Sequence, residues 1–344
     1  MRGSRWLIVP FAGLVWLSGV VLAGPASAWP TCYGKPATIV GTPNADAIRG
    51  TPGDDVIAAG GGNDAVRGLS GDDRICGGDG SDTLAGGDGA DQINGGGDED
   101  VIRGGSSGKI AFVNGHLLGN DRLKGGTGND TIVSGRGVLD FVYGGVGNDT
   151  LIGGPREQFL SGQAGNDSLS GGAGSDTLWG GSGDDHMGGA SGRFDRLLFV
   201  GAHGPVAANL ATGHASGDGH DTITGLEGIL VLRSSTNDLL IGDGGFNFVL
   251  AGAGNDQVET RAGNDFVLAQ TGSDFVSAGE GNDFVDVHDR VEGNDAVNGG
   301  PGTDGCKHDA HDIRRNCESR SGGTRMLARV NAALRVIRDA TRGR

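Results

Sequence analysis

Gly77-Gly78-Asp79-Gly80-Ser81-Asp82-Thr83-Leu84-Ala85 is the clearest copy of a unit that recurs every nine residues. Its aspartate returns without a slip as Asp46, Asp55, Asp64, Asp73, Asp82, Asp91 and Asp100. Two positions after each stands an aliphatic residue: Ile48, Ile57, Val66, Ile75, Leu84, Ile93 and Ile102. Glycines fill most of the slots just before. Glycine permits positive φ, so the first six residues can form a tight turn with carbonyls pointing inward. The x-aliphatic-x triplet is a very short strand with one side chain inward. One unit cannot bury its aliphatic alone, but a stack of units builds a continuous core. The pattern predicts an all-β solenoid in which two nonapeptides make one coil, with turns on opposite sides.

Aspartates eighteen residues apart then share an edge. Asp46, Asp64, Asp82 and Asp100 stack on one, and Asp55, Asp73 and Asp91 on the other. Stacked strands lie about 4.8 Å apart, and carboxylates at that spacing repel one another. A cation between the rungs answers that repulsion. Turn carbonyls and carboxylates form an all-oxygen, hard-ligand set that suits Ca²⁺, whereas Mg²⁺ prefers a tighter octahedron and keeps its waters. The pattern resembles the RTX, or haemolysin-type, calcium-binding repeat, over roughly residues 41 to 307. The resemblance implies a right-handed parallel β-roll with one Ca²⁺ between successive turns on each edge.

Two further arrays follow. In the second, Asp121, Asp130, Asp149, Asp167, Asp176 and Asp185 hold the ligand slot. Asp140 comes one residue late and Gln158 replaces an aspartate, so weak or absent calcium is expected beside both. In the third, Asp238, Asn247, Asp256, Asp265, Asp274 and Asp283 are followed, after a three-residue insertion, by Asp295 and Asp304. Asn247 keeps an oxygen but loses charge, and a weaker site is expected there. The organisation reads as a signal peptide (1–28), an N-terminal cap (29–40), array one (41–103), an inserted loop (104–117) and array two (118–194). A spacer coil (195–233), array three (234–307), a disulfide cap (308–319) and a basic amphipathic tail (320–344) complete it. The spacer has few paired glycines and reads as a wider coil still stacked on the roll.

Arg2 and Arg5, the apolar run from Trp6 to Ala23, and Ala26-Ser27-Ala28 fit a cleaved secretory signal. A retained membrane anchor is the alternative. Four cysteines would remain, and an even count in a secreted chain suggests disulfides. Proximity favours Cys32–Cys76 and Cys306–Cys317, each stapling one end of the stack. A zinc site of Cys306, His308, His311 and Cys317 is the rival reading. Residues 29–319 carry 18 basic against 42 acidic side chains, a net charge of −24. With so few aromatics and so much glycine, such a chain is expected to be largely disordered without cations. Calcium binding would then supply the folding free energy, at the millimolar levels found outside cells.

In the tail, Thr324 to Ala340 has a helical pattern, with Met326, Leu327, Val330, Leu334 and Ile337 on one face and arginines around the rest. A cap on the last coil is the simplest role. Contact with an anionic polymer or membrane, or docking on the acidic roll, are alternatives. Phe248, Phe266 and Phe284 follow the ligand position at eighteen-residue spacing and are expected to stack on one outer face, with Phe275 on the other. Such a ladder either stiffens the sheet or offers a platform for a glycan or protein partner. No His-Glu-x-x-His or Gly-x-Ser-x-Gly motif is present. His203, His214 and His220 lie beside Asp218 and Asp221 in the spacer, the one cluster outside the closing region.

The expected protein is an exported, extracellular or cell-surface, calcium-loaded β-roll with a structural or adhesive role and no catalytic residues. Calcium is its expected cofactor, a surface polysaccharide or another protein its candidate partner, and no nucleic acid is expected. The alternative is a calcium-dependent enzyme acting on polysaccharide, or another hydrolase, with its site in the 195–233 spacer.

Overall fold

The computed structural model describes residues 30–106, 111–113, 116–118, 121–136, 139–192, 194–291, 293–318 and 337. The expected signal peptide lies outside the described residues. So do parts of the inserted loop and all of the tail except Ile337, which is helical.

Alternate nonapeptides feed two long sheets, of fourteen and sixteen strands among the described residues. Val56–Gly61, Arg74–Asp79 and Gln92–Gly97 belong to the first, and Ala65–Ser70, Thr83–Asp88 and Val101–Ser106 to the second. Successive coils pair in parallel with an offset of eighteen: Ile57 beside Ile75 beside Ile93, and Ile48 beside Val66 beside Leu84. These aliphatics, at most 3% exposed, form one cluster that runs between the sheets. The chain is thus an all-β parallel solenoid.

One inward aliphatic contributes about 2 kcal/mol on burial. Ordering the backbone of nine residues, several of them glycine, costs about 1–2 kcal/mol each. Burial alone therefore does not hold a nonapeptide; ladder hydrogen bonds and the chemistry of the turns must add to it.

The break between arrays one and two does not break the stack. The offset jumps from eighteen to thirty, with Ile93 beside Leu123 and Ile102 beside Ile132. The extra chain includes an antiparallel hairpin, Ala111–Val113 with His116–Leu118. The late Asp140 is likewise accommodated. The one-residue excess is taken up between strands Thr131–Gly135 and Leu139–Val146, and Arg122 pairs with Phe141.

The spacer departs from a simple wide coil. Arg196–Val200 and Gly228–Leu232 pair in parallel within the fourteen-strand sheet. On the other side Ala207–Asn209, His214–Ser216 and His220–Thr224 form an antiparallel meander, spliced between His186–Gly188 and Leu239–Ile241. The meander accounts for the two additional strands of the larger sheet.

The two outer faces differ. On the sixteen-strand sheet Phe275 is 49% and Ile313 61% exposed. On the fourteen-strand sheet Phe248, Phe266 and Phe284 stack in register, with ring centroids 5.7 and 4.9 Å apart. They are nevertheless buried, at 2, 3 and 8% exposure, within a second apolar cluster that includes Phe159, Trp179 and Ile337. The ladder is therefore on the expected face but is not an open platform.

Both expected disulfides are present, and they act differently. Cys306 takes the inward slot of the last strand of its sheet, beside Val285, so its bond to Cys317 plugs the end of the core. Cys76 follows inward-facing Ile75 and so faces outward in the third strand of the same sheet. Its bond to Cys32 pins the hairpin Thr31–Cys32 with Lys35–Pro36 to that outer face, rather than closing the first coil. The disulfide also excludes the rival zinc set at Cys306 and Cys317.

Candidate metal centres on the two edges

Each turn ends in an aspartate whose carboxylate reaches back one coil. Asp64 Oδ1 accepts the N–H of Asp46 at 2.8 Å, Asp82 that of Asp64 at 2.8 Å, and Asp100 that of Asp82 at 2.8 Å. The ladder continues through Asp130, Asp149, Asp167 and Asp185. On the other edge it runs from Asp55 through Asp73, Asp91, Asp121 and Asp140 to Gln158 and Asp176. In array three, Asp238, Asp256, Asp274 and Asp295 form one edge, and Asn247, Asp265, Asp283 and Asp304 the other.

Oδ1 is thus spent on the backbone. Oδ2 of every aspartate from Asp64 to Asp185 in these ladders, and of those in array three, is buried without a hydrogen-bond partner. A glycine five residues earlier lies against it: a Cβ on Gly77 would sit 2.1 Å from Asp82 Oδ2, and one on Gly86 2.2 Å from Asp91 Oδ2. The turn is therefore a cradle of backbone closed around one carboxylate oxygen. A buried carboxylate oxygen left unpaired is costly, and carboxylate oxygens together with turn carbonyls are the hard-oxygen set that Ca²⁺ takes. Among the described residues no three His, Cys, Asp or Glu side chains group as a metal site. Any ion here would be held by one or two carboxylates together with turn carbonyls, which fits calcium and not a zinc cluster.

The first rung on each edge differs. Asp46 Oδ2 accepts from the backbone N–H and hydroxyl of Thr42 at 2.6 and 2.8 Å. Asp55 Oδ2 accepts from Thr51 in the same way, at 2.6 and 3.0 Å. Threonine donors there satisfy the oxygen that elsewhere has no partner. At Gln158, Oε1 accepts the Asp140 N–H at 3.2 Å, leaving Nε2 buried and unpaired. Asn247 Nδ2 donates to Asp243 at 3.0 Å.

Five ladder members are absent from the nonapeptide count. Asp195 and Glu227 extend one edge, accepting from Asp176 at 2.7 Å and from Asp195 at 2.7 Å. Asp221 extends the other, accepting from Asp185 at 3.1 Å. Asp312 and Glu318 close array three. Glu227 follows a short Thr-Gly-Leu turn with no glycine pair, so no repeat signature marks it. The Asp195 signal was Gly189 to Asp195, a unit one residue too long.

The ladders carry an electrostatic load. Burial pushes Asp121 and Asp176 up to about 8, with the neighbouring Asp140 and Asp195 carboxylates adding to it. Burial likewise lifts Asp91 and Asp100 to about 7. Charge on these groups is therefore disfavoured unless a cation offsets it.

The spacer histidines do not form one group. His203 Nδ1 meets Asp218 at 2.9 Å in an exposed pair. His214 and His220 instead line a groove of about 530 Å³ over the meander, with Ser216, Asp221 and Thr222.

A parallel solenoid edged by stacked carboxylates and glycine-rich turns is the class these features define. The RTX calcium-binding nonapeptide repeat matches residues 40–75, 77–107, 117–138, 139–155, 159–193, 234–267 and 261–288, more than half of the chain. The chain belongs to the RTX calcium-binding repeat family and is a calcium-binding β-roll protein. A search of curated proteins returned no match.

Proposed function

We propose that the protein is exported, folds on calcium in the extracellular medium and serves there as a non-catalytic structural or adhesive module. The observation that carries this is the pair of buried aspartate ladders, whose unpaired Oδ2 atoms call for a divalent cation along almost the whole chain. A chain built this way would be a poorly folded polyanion where calcium is scarce and a rod where it is millimolar. The secretory pattern of residues 1–28 matches that logic. The test is to express the full chain and fractionate the culture. Protein in the medium or on the cell surface, beginning at Trp29, supports export; retention inside the cell with an intact leader sinks it.

The groove over the meander favours one second reading, a polysaccharide-active enzyme. His214 and His220 stand there with Ser216 and Asp221. Asp221, however, already caps the Asp185 backbone, which makes it a poor free base. Loss of a polysaccharide-cleaving activity in His214→Ala and His220→Ala, with calcium binding unchanged, would establish the enzyme reading.

A further inference from the structure

The buried outer face of the fourteen-strand sheet requires a cover. Side chains one slot after the ladder aspartate face away from the core in a solenoid. On the sixteen-strand sheet they are open, as at Phe275. On the fourteen-strand sheet Phe159, Phe248 and Phe266 are at most 3% exposed, and Leu198 and Leu230, two residues further along their strands, at most 1%. Strands of the sheet cannot bury their own outward side chains this completely. Ile337, the one described residue of the C-terminal segment, is 2% exposed and belongs to this cluster, not to the internal core.

We propose that the C-terminal segment, residues 320–344, is a strap that docks in cis along this aromatic face and not a plug on the last coil. The chain leaves the roll at the right place. Glu318 accepts the Asp304 N–H at 2.6 Å and donates its own N–H to the Asp304 carbonyl at 2.9 Å, at the C-terminal edge of the fourteen-strand sheet. Nineteen residues separate Glu318 from Ile337, and the expected helix from Thr324 to Ile337 covers about 20 Å at about 1.5 Å per residue. Phe284 and Trp179 lie five coils apart in the sheet, about 24 Å at about 4.8 Å per coil, within reach of that helix and the residues before it. The apolar stripe of Met326, Leu327, Val330, Leu334 and Ile337 matches the apolar row in character. Seven arginines against one aspartate complement a roll of net charge −24. Docked there, the segment ties coils of arrays two and three together lengthwise and closes the face to other partners.

The test uses the full mature chain in saturating calcium. A photoreactive phenylalanine analogue replaces Ile337, in a mixture of isotopically light and heavy protein, and the cross-links are mapped by mass spectrometry. Links within one chain to outward residues of the fourteen-strand sheet are expected. Links to the last coil alone would make the segment an end cap, links between light and heavy chains would make the face a contact between copies, and no links would leave the face without this cover; each overturns the proposal. The milder Ile337→Ala supplies an independent reading, because Trp179 lies in the same cluster. A red-shifted tryptophan emission and several-fold more binding of a hydrophobic dye, at unchanged strand signal, are expected, and values identical to the parent chain would contradict the strap.

Discussion

Asp82 Oδ1 accepts the N–H of Asp64 at 2.8 Å, while Asp82 Oδ2 stays buried and unpaired. One side chain thus holds the backbone of the previous coil and presents an oxygen to the turn. The two duties can be separated. Asp82→Asn keeps an acceptor for the Asp64 N–H but removes the charge, so the calcium midpoint rises while the saturated protein keeps its strand content. Asp82→Ala loses both duties. It is expected to lose about 2 kcal/mol even in saturating calcium, since it strands a buried N–H. Urea unfolding at high calcium checks this; equal stability of the two variants would contradict the dual role.

Proton uptake follows from the same oxygens. Without a cation, burial raises Asp121 and Asp176 to about 8 and Asp91 and Asp100 to about 7, against about 4 in an unfolded chain. The folded form therefore holds more protons between those values. Its metal-free stability falls as pH rises from about 4 to 8 and recovers as pH falls. Acid is therefore expected to favour the metal-free folded form, with more strand signal in chelator at about pH 5.5 than at about pH 8. Equal strand signal in chelator at the two pH values would contradict the raised values.

Backbone conformation makes a separate prediction. Gly78 has φ +121°, and a Cβ there would lie 1.9 Å from the Gly60 carbonyl oxygen of the coil before. Gly78→Ala is expected to cost about 3 kcal/mol. Leu69 occupies the equivalent slot of its own turn with φ +95°, and Leu69→Gly is expected to gain about 1 kcal/mol by releasing that strain. Thermal unfolding in saturating calcium reads both signs; a stabilising Gly78→Ala would contradict the geometry.

The two disulfides close loops of different length, with separations of 44 and 11 residues. On the chain-entropy model, loss of Cys32–Cys76 costs about 4 kcal/mol and loss of Cys306–Cys317 about 3 kcal/mol. The second also opens the end of the core, because Cys306 is an inward residue. Hydrogen exchange in Cys306→Ser with Cys317→Ser is expected to rise first in the final coils. In the Cys32→Ser, Cys76→Ser variant those coils stay protected. Exchange rising uniformly in both variants would contradict separate roles.

Every nonapeptide repeats the aspartate and the aliphatic, and the coil, the inward core and the two edges were legible from these alone. What repeats only every eighteen residues was harder to read. Phe141, Phe159 and Trp179 belong to the same outward face as Phe248, yet two turns and a strand of the other sheet separate each from the next. Cys76 was readable as outward, since it follows inward Ile75 in a strand of period two. Glu227 carries no turn signature, whereas Asp221 closes a Gly217-Asp218-Gly219-His220 turn with Ile223 two positions on, outside the regular count because the spacer breaks the register. Thr42 and Thr51 look like ordinary turn residues. Their role at the first rungs depends on a hydroxyl placed four residues before an aspartate.

Far-UV circular dichroism of the mature chain, from chelator to about 10 mM calcium with magnesium as control, tests the central claim most directly. The account predicts a coil-like spectrum in chelator, a cooperative rise in strand signal with calcium and little response to magnesium at the same concentration. A spectrum already rich in strand in chelator, and unchanged by calcium, would contradict it.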